Sequence, residues 1–263
     1  MLSAIVLTRN EEKNIRECLE SVKWCDKIVL VDDYSEDKTV EIAKKFGAKV
    51  YKRKLNDDFA KQRNFGLEKA RGEWVLFVDA DERVSPELAK EIQTEVQVGI
   101  HRTRSDSGRG TDTTPRGYLI KRTDFVWGRK LKHGEMGNTS FIRLAQKGSG
   151  EWKRRVHETW DIQGSVKTLK NPLPHYPHQT VNEFLSDINR YSTLHAQENS
   201  HEGKQSSVLK ILLWPKLKFL SNWVLKGGFW DGTHGFVVAM MMSFHSFLSW
   251  GKLYLEQRNK LIK

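Results

Sequence analysis

The segment Trp74-Val75-Leu76-Phe77-Val78-Asp79-Ala80-Asp81 constrains this chain more than any other, because an apolar run long enough for a buried strand stops in two carboxylates one small residue apart. Side chains alternate faces along an extended segment, so Asp79 and Asp81 can point the same way. Like charges so placed repel each other unless a cation stands between or beside them, and hard oxygen donors favour Mg2+ or Mn2+. An Asp-x-Asp pair alone also suits a solvated turn. Its place at the carboxyl end of a strand, where ligands gather in open α/β sheets, favours a metal and diphosphate site.

What precedes the pair repeats one pattern. Leu2-Ser3-Ala4-Ile5-Val6-Leu7 stops at Thr8-Arg9-Asn10-Glu11-Glu12, and Ile15, Cys18, Leu19 and Val22 follow at helical spacing. Lys27-Ile28-Val29-Leu30-Val31 ends at Asp32-Asp33-Tyr34-Ser35-Glu36-Asp37; Val40, Ile42, Ala43 and Phe46 then mark a second helix, closed by Gly47. Val50-Tyr51 is a third strand, residues 59–71 a third helix and 74–78 a fourth strand. This alternation predicts an α/β fold with a mostly parallel, Rossmann-like central sheet flanked by helices. The strands deliver Thr8 to Glu11, Asp32 with Asp33, and Asp79 with Asp81 to one rim. A receiver-type phosphorylation pocket fits poorly, since it needs a placed phosphoacceptor Asp and a Lys in a chain of about half this length.

Four motifs in order carry a family resemblance: Ala4-Ile5-Val6-Leu7-Thr8-Arg9-Asn10-Glu11, Ile28-Val29-Leu30-Val31-Asp32-Asp33-Tyr34-Ser35-Glu36-Asp37-Lys38-Thr39, Arg63-Asn64-Phe65-Gly66-Leu67, and Ala70-Arg71-Gly72-Glu73 running into the Trp74–Asp81 segment. Together they resemble the family 2 glycosyltransferases of GT-A fold, tightly over residues 1–95 and more loosely beyond. The resemblance implies that Thr8, Arg9 and Glu11 lie around the nucleotide of a UDP-sugar and that Asp33 receives the uracil edge. It implies further that Asp79 and the intervening Ala80 help hold nucleotide or sugar, and that Asp81 reaches a divalent metal, Mg2+ or Mn2+, bridging the diphosphate. The chemistry agrees, because a carboxylate can accept the uracil N3–H and a metal neutralises charge on a departing diphosphate. Arg63 suits either a diphosphate or a salt bridge to Asp33 or Asp79. Asn64 suits capping of backbone at the sheet rim.

Residues 99–116 hold almost no apolar side chains and read as a mobile loop, either a surface insertion or a lid. Order returns with strand-like runs at 117–120, 125–131 and 140–144. The series Gly128-Arg129-Lys130, Ile142-Arg143-Leu144 and Val156-His157-Glu158 resembles the lipopolysaccharide-core glucosyltransferase branch of the family. An inverting transfer needs one general base for the acceptor hydroxyl, and Glu158 is the candidate; a salt bridge to Arg155 is the alternative. His175 also matches the branch and could complete the metal shell with Asp81, hydrogen-bond the diphosphate, or be structural.

Lys and Arg exceed Asp and Glu by eleven, which points to an anionic partner. No zinc-finger, RRM or helix-turn-helix spacing argues for nucleic acid. The basic charge of the last third is interleaved with apolar residues: Lys204, Lys210, Lys216, Lys218 and Lys226 run among Leu209, Leu212, Trp214, Leu217 and Trp223, the composition of an element lying on an anionic membrane surface. Pro215 should kink or divide this segment. The stretch Val237–Leu248 is too short to span a bilayer, so monotopic association is expected, with packing on the sheet or a homo-oligomer interface as the alternative. No signal peptide is expected, and Cys18 and Cys25 do not suggest a disulfide, so the compartment should be the cytoplasm, at the inner face of the plasma membrane. The expected division is a GT-A catalytic domain over 1–195, with a nucleotide-sugar half at 1–95 and an acceptor half at 117–180, followed by a helical membrane-proximal or oligomerisation region over 196–263.

The function so read is inverting, metal-dependent transfer of a hexose, glucose from UDP-glucose foremost, to a membrane-associated saccharide such as lipopolysaccharide inner-core heptose. Polyprenyl phosphate or another envelope glycan is an alternative acceptor. A reading from a different class is a catalytically silent GT-A scaffold that binds membrane or nucleic acid, against which stand Asp33, Asp79, Asp81 and Glu158 together.

Overall fold

The structure, a computed structural model, describes residues 1–105, 114–137, 139–177 and 179–261. In chain order its elements are β1 (Leu2–Thr8), α1 (Ile15–Val22), β2 (Lys27–Asp32), α2 (Thr39–Lys45), β3 (Lys49–Lys52), α3 (Phe59–Lys69), β4 (Trp74–Asp79), α4 (Pro86–Ser105), β5 (Gly117–Val126), β6 (Arg129–Lys130), β7 (Ser140–Gln146), β8 (Gly150–Lys153), β9 (Thr159–Ile162), β10 (Val166–Thr168), β11 (Leu173–His175), α5 (Val181–His201), α6 (Val208–Leu220) and α7 (Gly232–Leu261). Two compact units emerge: Met1–Arg122 with Ser140–His175, and Thr123–Thr139 with Tyr176–Lys263. They divide the chain earlier than the expected boundary at residue 195, and the hairpin at 123–139 groups with the C-terminal helices.

In the first unit the sheet runs β3-β2-β1-β4-β7-β5-β10, with β11 also on β5. β1 pairs in parallel with β2 and β4, while β7 runs antiparallel to β4 and to β5. Period-2 alternation sends Ala4, Val6, Leu30, Leu76 and Val78 to one face, against Ile15, Cys18, Leu19 and Val22 of α1 and Leu88 and Ile92 of α4. Ile5, Val29, Val31, Val75 and Phe77 face the other way, toward Ala60 on α3 and the Trp152 and Trp160 side chains of the β8–β9 hairpin. Gly66 lets α3 lie close on the sheet, since a Cβ there would stand 2.7 Å from Ile5 Cγ2. Both faces are therefore covered, as a mostly parallel sheet requires. The register sets Thr8 beside Asp32 and Leu7 beside Asp79, which brings the polar ends of three strands to one edge.

The expected loop over 99–116 is corrected at both ends. Helix α4 continues through Ser105, with Ile100 packed against the core, and Thr114 is buried. Leu88, Ile92, Val96 and Ile100 recur every four residues as an apolar stripe that lays α4 on the core; residues 106–113 lie outside the described residues.

In the second unit β6 pairs with the end of β5, Phe125 opposite Lys130, across a turn in which Trp127 (φ 50°) and Gly128 (φ 75°) are both left-handed, the geometry of a tight hairpin. Val126, Leu131, Met136, Phe184, Ile188 and Val238 form its core. Helix α5 opens on a capping box, Thr180 with Glu183. Pro215 does not divide α6, which runs unbroken from Val208 to Leu220 and passes into a π-helical turn over Ser221–Leu225. None of the α6 residues is buried. Among the described residues no helix is long and apolar enough to cross a membrane.

Candidate active site

The loops that leave β1 and β2 are zipped together by their own motif residues. Asn10 and Tyr34 both adopt left-handed backbone, at φ 56° and 52°. The Asn10 N–H donates to Ser35 Oγ, the Glu11 N–H to Thr39 Oγ1 and the Glu12 N–H to Asp37, while the Glu36 N–H returns to Asn10 Oδ1. Beneath them Asp32, wholly buried, accepts from the hydroxyls of Thr8 (3.3 Å) and Ser35 (2.5 Å). Asp33 lies one residue further out; Oδ1 accepts the Leu55 N–H at 3.0 Å and Oδ2 accepts Arg9 Nη1 at 3.1 Å. Each oxygen retains a second lone pair for a ligand donor. Thr8, Arg9, Glu11 and Asp33 thus form one rim, and the polar types between them serve to fix its loops.

At the end of β4 the two aspartates part company. Asp79 is held by two guanidiniums: Arg63 Nη2 lies 2.9 Å from Oδ1 and Arg143 Nη2 2.5 Å from Oδ2. Arg63 Nε also donates to Glu158 Oε1 at 2.8 Å, and Arg143 Nη2 to Glu82 Oε1 at 2.8 Å. Both arginines are 4% exposed and Glu82 is fully buried. Burial alone would raise the Asp79 carboxyl, but Arg143 and Arg63 hold it well below the usual carboxylate range. Glu82 shifts the other way, pushed up by burial against the pull of Arg143 and with the repulsion of Asp79. The Arg63 guanidinium lies over Trp152 (4.8 Å) and Phe77 (5.6 Å), a cation–π bed within the aromatic cluster of Phe77, Trp152 and Trp160.

Asp81 pairs instead with His175, Oδ2 to Nε2 at 3.1 Å. Burial raises the Asp81 carboxyl, but the charge and hydrogen bond of His175 bring it below its ordinary value. β11 delivers the imidazole through a bridge between His175 and Glu82. Among the described residues no group of three or more His, Cys, Asp and Glu side chains could enclose a metal. Asp81 and His175 offer one oxygen and one nitrogen donor, a set that fits a divalent cation shared with a diphosphate rather than an all-protein cage. The cation that the sequence requires beside Asp79 is supplied by arginine.

Glu158 sits in the connection between β8 and β9, where Arg154 (φ 71°) and His157 (φ 53°) are both left-handed without being glycine. The Arg155 carbonyl accepts the Phe59 N–H at 2.9 Å, which ties the connection to the start of α3. The alternative partner considered for Glu158, Arg155, is replaced by Arg63. Glu158 Oε2 has no hydrogen bond among the described residues. Asn64 caps backbone as expected, its amide exchanging two hydrogen bonds of 2.9 Å with Trp152. Ala80 is buried, and its carbonyl accepts from Arg83. Sequence reasoning missed Arg143 and Glu82 as members of the site. The available signals were an arginine inside the otherwise apolar strand Ile142-Arg143-Leu144 and a third acid directly after Asp79-Ala80-Asp81.

Comparison with known proteins gives the family of the chain. The family model described as Glycosyl transferase family 2 matches residues 3–148. The chain is 28% identical to the lipopolysaccharide core biosynthesis glycosyltransferase LpsC of Rhizobium meliloti (strain 1021), over 99% of this chain and 93% of that one. It is 27% identical to an uncharacterized glycosyltransferase of Rickettsia bellii (strain RML369-C), over 96% and 85% of the two chains. Among solved structures, S. aureus TarS 1-349 in complex with UDP is similar at a TM-score of 0.49 and 17% identity, covering 100% of this chain and 92% of that one.

Proposed function

Because the chain belongs to glycosyl transferase family 2 and is a nucleotide-sugar glycosyltransferase, we propose that it moves a hexose, glucose from UDP-glucose foremost, with inversion onto a membrane-associated saccharide such as an inner-core heptose of lipopolysaccharide. The acceptor class is supported by the similarity to LpsC along nearly the whole length of both chains. The observation that carries the reading is the separation of labour at the end of β4, where Asp79 is neutralised by Arg63 and Arg143 while Asp81 faces His175.

In this reading Asp33 accepts the uracil N3–H, with Thr8, Arg9 and Glu11 around the nucleotide, and Asp81 with His175 holds Mn2+ or Mg2+. The mixed oxygen and imidazole donors suit Mn2+ the better of the two. When bound, the cation neutralises negative charge on the diphosphate. Arg63 fixes Glu158 through Oε1 and leaves Oε2 for the acceptor hydroxyl. That oxygen takes the proton as the hydroxyl attacks the anomeric carbon, and UDP leaves from the opposite face. Residues 1–95 would then be the donor half and 117–180 the acceptor half. The basic, apolar helices of 196–263 would hold the enzyme peripherally at the cytoplasmic face of the plasma membrane.

Calorimetric titration with UDP, UDP-glucose and other nucleotide sugars, with and without Mn2+ and with Asp81→Asn as control, tests the proposal. Uridine-selective binding that Mn2+ strengthens in the parent and not in the variant is expected. Absence of nucleotide binding would overturn it.

A further inference from the structure

The second unit carries a concavity of about 560 Å³ lined by Arg129, Lys130, Lys132, His133, Trp230 and Asp231, none of which the catalytic reading uses. Its frame is rigid. Asp231, 4% exposed, accepts the backbone N–H groups of Lys132 (3.0 Å) and His133 (2.8 Å) and faces His133 Nδ1 at 3.3 Å. The one acid of the concavity is thereby turned inward, where it fixes the chain that follows β6. Arg129, Lys130 and Lys132 are exposed, and no acidic side chain among the described residues pairs with them.

Beside these cations stands an apolar surface that the unit does not cover. Trp230 is 69% exposed and Leu225 81%, and Leu209, Leu217 and Val224 are each at least half exposed. The surface is continuous through its rings: Trp230 touches Phe229 (4.8 Å between centroids), Phe229 touches Trp223 (6.3 Å), and Trp223 meets Phe236 of α7 (5.3 Å) and Phe219 of α6 (6.4 Å). A cationic depression lined by tryptophan and joined through aromatic rings to the exposed α6 matches the boundary of an anionic bilayer. There, phosphate oxygens meet Lys and Arg, indole rings sit at headgroup level, and aliphatic side chains reach the acyl region.

We infer that the Arg129-Lys130-Lys132-Trp230 concavity binds the phosphate of an anionic membrane lipid while the α6 surface and the aromatic cluster enter the headgroup layer. Charge selects this occupant over a second copy of the chain, because an isologous contact through the patch would bring like cations together. The inference rests on the reading that the enzyme works at a membrane, and it adds to that contact Arg129, Lys130 and Lys132, which lie outside the 196–263 region to which composition pointed.

Flotation of the full-length protein with vesicles of phosphatidylcholine alone, and of equal parts phosphatidylcholine and phosphatidylglycerol, tests it. The parent should float with the anionic vesicles and much less with the neutral ones. The triple variant Arg129→Gln, Lys130→Gln, Lys132→Gln should lose affinity on the order of a hundredfold, from roughly fivefold per cation near such a surface. Trp230→Ala should lose less. UDP binding by each variant, measured by calorimetry, should equal that of the parent and shows that the fold is intact. If the triple variant floats like the parent, the concavity is not the lipid site although the membrane reading stands. If the parent binds neither vesicle, both fail. A lipid-independent dimer that shields Trp230 from aqueous fluorescence quenchers would also overturn the inference in favour of self-association.

Discussion

The two units invert the usual distribution of side chains in opposite senses. In the first, charges go inside: Arg63, Arg143 and Glu82 are all but inaccessible, yet each meets an opposite charge at 2.8–2.9 Å within a network that extends to Asp79 and Glu158. In the second, apolar groups stay outside: α6 carries Leu209, Leu212, Leu213, Trp214 and Leu217 on the surface and has no fully buried residue. Buried charge is tolerated when paired and hydrogen-bonded. The first inversion is therefore balanced within the chain. The second has no such counterpart among the described residues, and the inferred lipid contact is what would supply one.

The contrast breaks most sharply on stability. Arg143→Met leaves Asp79 with one guanidinium and Glu82 with none, and should cost about 3–5 kcal/mol of unfolding free energy. Leu217→Gln on α6 should change it by less than about 0.5 kcal/mol. Urea denaturation at neutral pH decides; a cost for Leu217→Gln equal to that of Arg143→Met would mean that α6 is part of the core after all.

The network also separates chemistry from binding. Glu158→Gln keeps an oxygen for Arg63 Nε but loses the proton acceptor, so the rate of sugar transfer should fall about 10²–10⁴-fold. UDP affinity in the same variant should be unchanged. Full turnover would remove Glu158 from the mechanism. For Asp81→Asn the smaller expected effect is on binding: the enhancement of UDP affinity by Mn2+ should drop roughly tenfold or more. An undiminished enhancement would place the cation elsewhere.

Much of the first unit was legible because it is local. Ile15, Cys18, Leu19 and Val22 are read from spacing alone and are all fully buried, and Gly47 closes α2 with φ 73°. The strand ends that bring Thr8, Asp33 and Asp81 to one rim follow from alternating runs. The roles of Asp79 and Glu158 were harder to read, because their partners lie far off in sequence: Arg63 and Glu158 are 95 residues apart, and Arg143 is 61 from Glu82. A single sequence states which residues are charged, and pairing across such distances is fixed only when β7 docks on β4 and the β8–β9 hairpin packs under Phe77. The helical end of α4 was hidden for a related reason, since its hold on the core is the distant ring of Trp74, 2.7 Å from where a Gly99 Cβ would stand.

An ion pair of the second unit sharpens the comparison at its weak end. Glu135 accepts from Lys218 Nζ at 2.6 Å and Asn222 Nδ2 at 3.3 Å, with both ends of the ion pair about one-third exposed. Partial burial would raise its carboxyl, but Lys218 and Asn222 hold it below the ordinary glutamate value. A carboxyl with a depressed folded pKa stabilises fully above its unfolded value, about 4.3, and loses that contribution as the pH falls through the folded one. Glu135→Gln should therefore be less stable than the parent at pH 7, by under about 1 kcal/mol given solvent screening of so exposed a pair. The gap should narrow as the pH falls below about 4.3, because the parent then loses the same charge. Urea midpoints of the two proteins across that range provide the check. A gap that stayed constant would show that Glu135 acts through its shape and its bond to Asn222, leaving the second unit without an ionic counterpart to the Arg63–Arg143 network.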